Sequence, residues 1–315
     1  MAVFTPIDLN DAHAFLRHYD VAETAEALDP ISAGTDNTNY VLTADNNKYI
    51  LTIFEDRIDK SHLPGILEFT AACYGNPTRT PKAYTRSDGG ILCKIKDKPA
   101  ALIEYIEGRS ILTPKPEHAG QMGSTLANMH LTGLDKGVKL HKNTLGFDRF
   151  HAIYEGAKSY LNSQDQQEIQ SLIDRLGSPW QKLSNCPKGA IHADAFPDNV
   201  FFIGDEISGI IDFYFACEDA FIYDMMLTET AWCFDEKGGI LKDNQTAFRQ
   251  GYETVRVLSE IERTALNTAG LGAAFRIYAT RLRDISQAQS NNGKVFIPKD
   301  PSQYLNIMRH YGALL

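Results

Sequence analysis

The chain has 315 residues, 43% hydrophobic and 23% charged, with a net charge of −9, which is ordinary for a globular chain long enough to form two lobes. Its basic residues are scattered, so it lacks the concentrated positive face that nucleic acid requires, and no run of 18 apolar residues is present to span a membrane. The five cysteines, Cys73, Cys93, Cys186, Cys217 and Cys233, are odd in number and widely spaced; reduced thiols in the cytoplasm are expected, rather than a disulfide framework or a zinc site.

The first segment, MAVFTPIDLNDAHAFL, lacks the basic-then-apolar order of a secretion signal. SAGTDNTNYVLTADNNKYILTIFE predicts two strands, NYVLT and KYILTIF, joined by a polar turn at Asp45-Asn46-Asn47. A helix is expected from about His62 to Tyr74, and GGILCKIKDKPAALIEYIEG predicts two further strands around Lys96-Asp97-Lys98. Turn residues in GRSILTPKP, near Gly108 to Pro116, mark a boundary. Beyond it, Ala119, Met122, Leu126 and Met129 recur at helical spacing. More helices are expected over Arg149 to Asn162, Gln166 to Gly177, and most of Tyr223 to Asp284. Only residues 191–213 interrupt this part, as two short strands around Gly204-Asp205. The expected fold class is therefore α+β: a small antiparallel-sheet lobe over 1–110 and a larger, mostly helical lobe over 111–315. No sequence feature specifies an oligomeric state.

IHADAFPDNVFF holds His192, Asp194 and Asn199 in the spacing His-x-Asp-x-x-x-x-Asn, the catalytic-loop pattern of protein-kinase-like phosphotransferases. The Asp accepts the proton of an attacking hydroxyl, and the Asn five residues on holds a magnesium ion against ATP phosphates. Asp212 follows GII on the returning strand and is placed to supply the second magnesium ligand; carboxylate and amide oxygens suit that hard ion. Taken singly, each of these residues fits an Asx turn or a loop Asp; it is the combination that indicates phosphotransfer. His192 reads as an orienting residue, and Asp224 as a buried carboxylate supporting the loop or a plain helix-face Asp. His130 reads as a packed core histidine. On the nucleotide side, Gly34 stands in a loop without GxGxxG; backbone amides around it, with Asn37 and Thr38, are candidate phosphate donors. The backbone from Glu104 to Ile106 is where an adenine edge would pair.

IHADAFPDNVFF and SGIIDFYFACEDAFIYDMM resemble the aminoglycoside-phosphotransferase-like kinases, which have a protein-kinase-like two-lobed fold. TDNTNYVLT, KYILTIFE, KPAALIEYIEG, LANMH, TAWCFD, GYETVRVLS, AAFRIYATRLRD and KDPSQYL resemble, more narrowly, the homoserine kinases of that superfamily, in order and over nearly the whole length. The resemblance implies ATP- and magnesium-dependent phosphorylation of the L-homoserine hydroxyl, a step toward threonine, with Asp194 as catalytic carboxylate and Asn199 and Asp212 as magnesium ligands. Choline, methylthioribose or an aminoglycoside are alternative acceptors, the last through Glu218 and Asp219. A catalytically silent nucleotide-binding regulator and a metal-dependent hydrolase are the readings from other classes. The chain departs from the wider superfamily at Thr52, where a phosphate-pairing Lys is usual. That leaves Glu68 without its expected partner, and Lys48 or Arg57 as substitutes. Homoserine is a zwitterion, so Arg276 or Arg281 is the candidate for its carboxylate and Asp198 for its ammonium.

Overall fold

Two tight turns build the first sheet. Asp45 and Asn46 take φ of +48° and +62°, and Lys96 and Asp97 take +48° and +64°, the paired left-handed conformation whose twist matches a two-residue hairpin. The first turn joins β2 (Thr38–Ala44) to β3 (Asn47–Ile53), and the second joins β4 (Cys93–Ile95) to β5 (Lys98–Glu104). With β1 (Ala25–Ile31) they form a five-stranded antiparallel sheet in the order β1-β2-β3-β5-β4. The computed structural model describes residues 4–32, 37–55, 59–75, 77–290 and 298–315; Gly34 and Arg57 lie outside them.

Strand alternation splits this sheet into two faces. Tyr40, Leu42, Leu51, Ile53, Ala100 and Leu102 pack with Ala12, Phe15 and Leu16 of α1 (Leu9–Leu16). Phe54 and Ala101 turn the other way, toward Leu63 and Tyr214. The helix α2 (Leu63–Ala72) contributes Ile66 and Phe69 to the large core of the second lobe rather than to the sheet.

The chain crosses between lobes at Glu104–Ser110. Gly108 has φ +125°, and a Cβ there would lie 2.5 Å from Ser208 Oγ and 2.7 Å from the Phe202 carbonyl oxygen, so only glycine fits. Just beyond, β6 (Arg109–Ser110) pairs with β8 (Val200–Ile203), which pairs in turn with β9 (Glu206–Ile210). A second ribbon joins β7 (Lys188–Ile191) to β10 (Cys217–Ala220). Around these ribbons lie α3 (Pro116–Asp135), α4 (Phe147–Ala157), α5 (Ser163–Gln181), α6 (Phe221–Trp232), α7 (Lys242–Val255), α8 (Glu260–Ser290) and α9 (Ser302–Gly312). The expected hairpin at 191–213 is present; β1, β6, β7, β10, α1 and α9 are additions. The five cysteines carry no disulfide.

Candidate active site

The segment between β7 and β8 is fixed before any ligand is considered. His192 is buried; its Nδ1 accepts from the Asp194 amide at 3.2 Å, so its Nε2 carries the hydrogen and donates to the Ile211 carbonyl at 3.1 Å. The ring thus ties Asp194 to the residue before Asp212, as expected of an orienting histidine, and burial lowers its pKa. Ala193 takes φ +61°, costly for a residue with a Cβ. Asp224, fully buried on α6, holds that turn by accepting the His192 amide at 3.0 Å and the Ala193 amide at 2.8 Å. Trp232 Nε1 donates to the Ala195 carbonyl at 2.8 Å from the same helix.

Asp194 emerges half-buried from this frame. Asn199 Nδ2 donates to its carbonyl at 2.9 Å and its Oδ2 at 3.0 Å, turning the amide oxygen away from that carboxylate. The Asn199 carbonyl accepts the Ile211 amide at 3.0 Å, which brings Asp212 alongside; Asp212 itself sits left-handed at φ +64°. Burial raises the Asp194 pKa well above the usual value; Arg276 opposes this, and Asp212 and Asp198 add like charge. Asp212 and the amide oxygen of Asn199 offer hard oxygen donors of the kind a divalent cation takes.

Arg276 on α8 is buried, with Nη1 3.4 Å from the Tyr223 hydroxyl and its guanidinium 5.7 Å from the centre of the Phe215 ring. Arg281 is committed elsewhere: Nη1 donates to the Asp300 carbonyl at 2.8 Å and Gln303 Oε1 at 3.0 Å, and the guanidinium lies 4.4 Å over Tyr304. Asp198 is exposed and pairs with Lys299 at 3.6 Å. Asp219 accepts from Asn143 Nδ2 at 2.7 Å.

The nucleotide side departs from expectation. Thr38 shares the α1 side of β2, where its Oγ1 accepts the Phe4 and Thr5 amides at 2.9 and 3.1 Å and donates to Glu55 at 2.7 Å. The next residue, Asn39, faces the cleft, and its Oδ1 accepts from Thr52 at 2.7 Å. Asn37 Oδ1 accepts the Glu55 amide at 3.2 Å, while its Nδ2 is buried without a hydrogen-bond partner among the described residues. Lys48 lies 5.4 Å over the Tyr105 ring, at the hinge end of β3, and so is no substitute at Thr52. Glu68 is exposed and needs no lysine; the space between Thr52 and α2 is taken by Tyr214, whose hydroxyl faces Thr52 and whose ring meets Phe54 edge-on at 5.5 Å. At the hinge, the Glu104 amide donates to the Lys82 carbonyl at 2.9 Å, and Ile106 packs where Gly209 lacks a Cβ.

Sequence reasoning missed the part played by His130. It is a core histidine, but one whose Nε2 donates to Asp224 at 3.0 Å. Its position beside apolar neighbours on α3 gave no signal for a partner 94 residues away.

A two-lobed, protein-kinase-like fold with Asp194, Asn199 and Asp212 gathered at a β-hairpin defines an ATP-dependent phosphotransferase. The chain belongs to the phosphotransferase enzyme family, whose model matches residues 27–258. It is 37% identical to a homoserine kinase of Rhizobium rhizogenes over 99% of this chain and 96% of that one. To homoserine kinases of Agrobacterium fabrum and Brucella ovis it is 36% and 35% identical, covering 100% and 99% of this chain and 97% and 94% of theirs. An amicoumacin kinase solved with AMP-PNP and Ca2+ superposes with a TM-score of 0.69 at 17% identity, over 98% of this chain and 94% of that one. A microcompartment-associated aminopropanol kinase does so with 0.67 at 18%, over 97% and 94%. At such identities these structures speak for the fold. No described helix is long and apolar enough to cross a membrane.

Proposed function

We propose that the chain is a homoserine kinase, transferring the γ-phosphoryl group of ATP to the side-chain hydroxyl of L-homoserine to give O-phospho-L-homoserine and ADP. The observation that carries the acceptor is the end-to-end match to homoserine kinases at 35–37% identity. The reaction is supported by the geometry at Asp194, the group that would accept the hydroxyl proton as oxygen attacks phosphorus. Residues 1–110 would bind nucleotide, with adenine against the backbone of Glu104 and Ile106. Residues 111–315 would hold the acceptor.

Asp212 and the Asn199 amide oxygen would hold a divalent cation, magnesium in our reading, whose charge offsets that of the phosphates. Among the described residues, Asn37, whose Nδ2 has no hydrogen-bond partner, and Asn39 are the polar side chains that would meet the phosphates. Arg276, unlike Arg281, has no carbonyl or amide partner among the described residues and suits the acceptor carboxylate. Asp198 meets the ammonium only by exchanging Lys299 for it. A reduced, cytoplasmic setting suits five free thiols.

The deciding experiment measures ADP release with homoserine, choline, methylthioribose or an aminoglycoside as acceptor. Turnover that depends on homoserine, and its loss in Asp194→Ala with ATP binding retained, are expected. An inert homoserine beside another reactive acceptor refutes the substrate; normal turnover in Asp194→Ala refutes the mechanism.

A further inference from the structure

The structure assigns to Tyr252, on α7, the part of a positioning residue for Asp194. Behind the loop runs one continuous hydrogen-bonded file. Arg256, the residue after α7, gives Nη2 to Glu262 Oε1 at 2.8 Å and Nη1 to the Tyr252 hydroxyl at 3.2 Å. That hydroxyl lies 2.8 Å from His130 Nδ1. His130 Nε2 reaches Asp224 Oδ2, and Asp224 holds the His192 and Ala193 amides. Tyr252, His130, Asp224 and Glu262 are all buried, with at most traces of exposed surface.

The direction of every proton in the file follows from its ends. Asp224 already accepts two backbone amides, so it is an acceptor toward His130, and His130 must carry its hydrogen on Nε2. His130 Nδ1 is then a bare acceptor, and the tyrosine hydroxyl has to donate to it. The hydroxyl hydrogen is left for His130 because Arg256, which has no lone pair to offer, donates to the hydroxyl oxygen. Burial lowers the pKa of His130, with Asp224 opposing, and the Tyr252 proton occupies the one site where a second proton would enter.

Tyr252 therefore anchors the Nδ1 edge of a ring whose Nε2 hydrogen is already directed at Asp224, and so keeps His130 and Asp224 aimed at the Ala193 turn, held at φ +61°. Without the hydroxyl, Nδ1 is left a buried acceptor with no donor, and the ring is free to turn its Nε2 hydrogen out of line with Asp224. Ala193 is then less firmly held, and Asp194, next in the chain, leaves the line of attack. Substrate contacts are untouched. This rests on the reading of Asp194 as proton acceptor, so Asp194→Ala is assayed alongside.

The test pairs two measurements on the full-length enzyme. In Tyr252→Phe, which keeps the ring, kcat is expected to fall about tenfold, as for other partners one shell behind a reactive group, with the KM for ATP and for homoserine unchanged. In 15N spectra of histidine-labelled wild type, His130 is expected to show a protonated Nε2 and a bare Nδ1. Wild-type kcat in Tyr252→Phe overturns the assignment, and so does a loss seen in KM rather than kcat. If the variant does not fold, the spectrum decides: a protonated Nδ1 refutes the file. An inactive Asp194→Ala beside a fully active Tyr252→Phe refutes Tyr252 alone; an active Asp194→Ala refutes the reading beneath it.

Discussion

The buried Arg276 guanidinium has, among the described residues, a 3.4 Å approach to the Tyr223 hydroxyl as its hydrogen bond, and a carboxylate arriving from solvent would pair with it strongly. Arg276→Gln should therefore raise the homoserine KM by roughly 100-fold, the scale of losing one partner of a desolvated charge pair, while the KM for ATP holds. Initial rates at varied homoserine and varied ATP separate the two; a shift confined to ATP would show that Arg276 serves the nucleotide instead. The gathering of Asp194, Asn199 and Asp212 was legible in the sequence because their spacing sets them at the two ends of one hairpin. Thr38 reads one residue out of frame. TNYVLTA alternates acceptably in either frame, and α1, which the sequence pattern does not reveal, decides which set of side chains turns inward. Asp224 was legible as a loop support, but His130 and Tyr252 were not, because long-range hydrogen bonds leave no local period.

At the scale of elements, Tyr252 reaches His130 only because α3 and α7 almost touch. A Cβ on Gly251 would lie 2.1 Å from the Gly120 carbonyl oxygen, and one on Gly123 2.1 Å from the Phe248 carbonyl oxygen. Both clashes are with helix backbone, which cannot yield without parting the helices. Gly251→Ala should lower the unfolding free energy by about 3 kcal/mol, the upper range for overpacking, read from urea midpoints. A Cβ on Gly177 in α5 would meet nothing within 4 Å, so Gly177→Ala should raise stability by about 1 kcal/mol through helix propensity alone. Equal effects at the two sites would refute the close approach. The hairpins were legible because Asp-Asn and Lys-Asp occupy two-residue turns. β1 was not: Pro30 argues against a strand, and is tolerated because β1 is an edge. Nor were the breaks within 223–284 legible, since α6 is buried on nearly every side and shows no amphipathic period.

For the whole molecule, the two lobes do not divide their cores along the chain. α2 is entered from the sheet but packs into the helical lobe, and its lead-in carries His62 to stack on His141 from the segment after α3, with ring centres 3.5 Å apart and 3° between planes. Near the other end of the chain, His310 on α9 meets Phe234 edge-on at 5.4 Å. Burial, the largest cause, lowers the pKa of both His141 and His310 from 6.5. Each stays neutral in the folded chain at a pH where the unfolded chain has begun to bind a proton, so acidification favours unfolding. This contribution is complete above about pH 6.5 and shrinks as pH falls toward the folded values. Asp194 and Asp219 act in the opposite sense, because their raised pKa values favour the folded chain on acidification, while Glu55 and Asp224, whose pKa values are lowered, act in the same sense as the histidines. The histidine effect must therefore be taken as a difference. The unfolding free energy of wild type minus that of a His141→Gln, His310→Gln double variant should grow from about pH 5 to about 6.5 and level off above it. A difference that stays flat or narrows with rising pH would mean that these rings are not held neutral where the distant parts of the chain are joined.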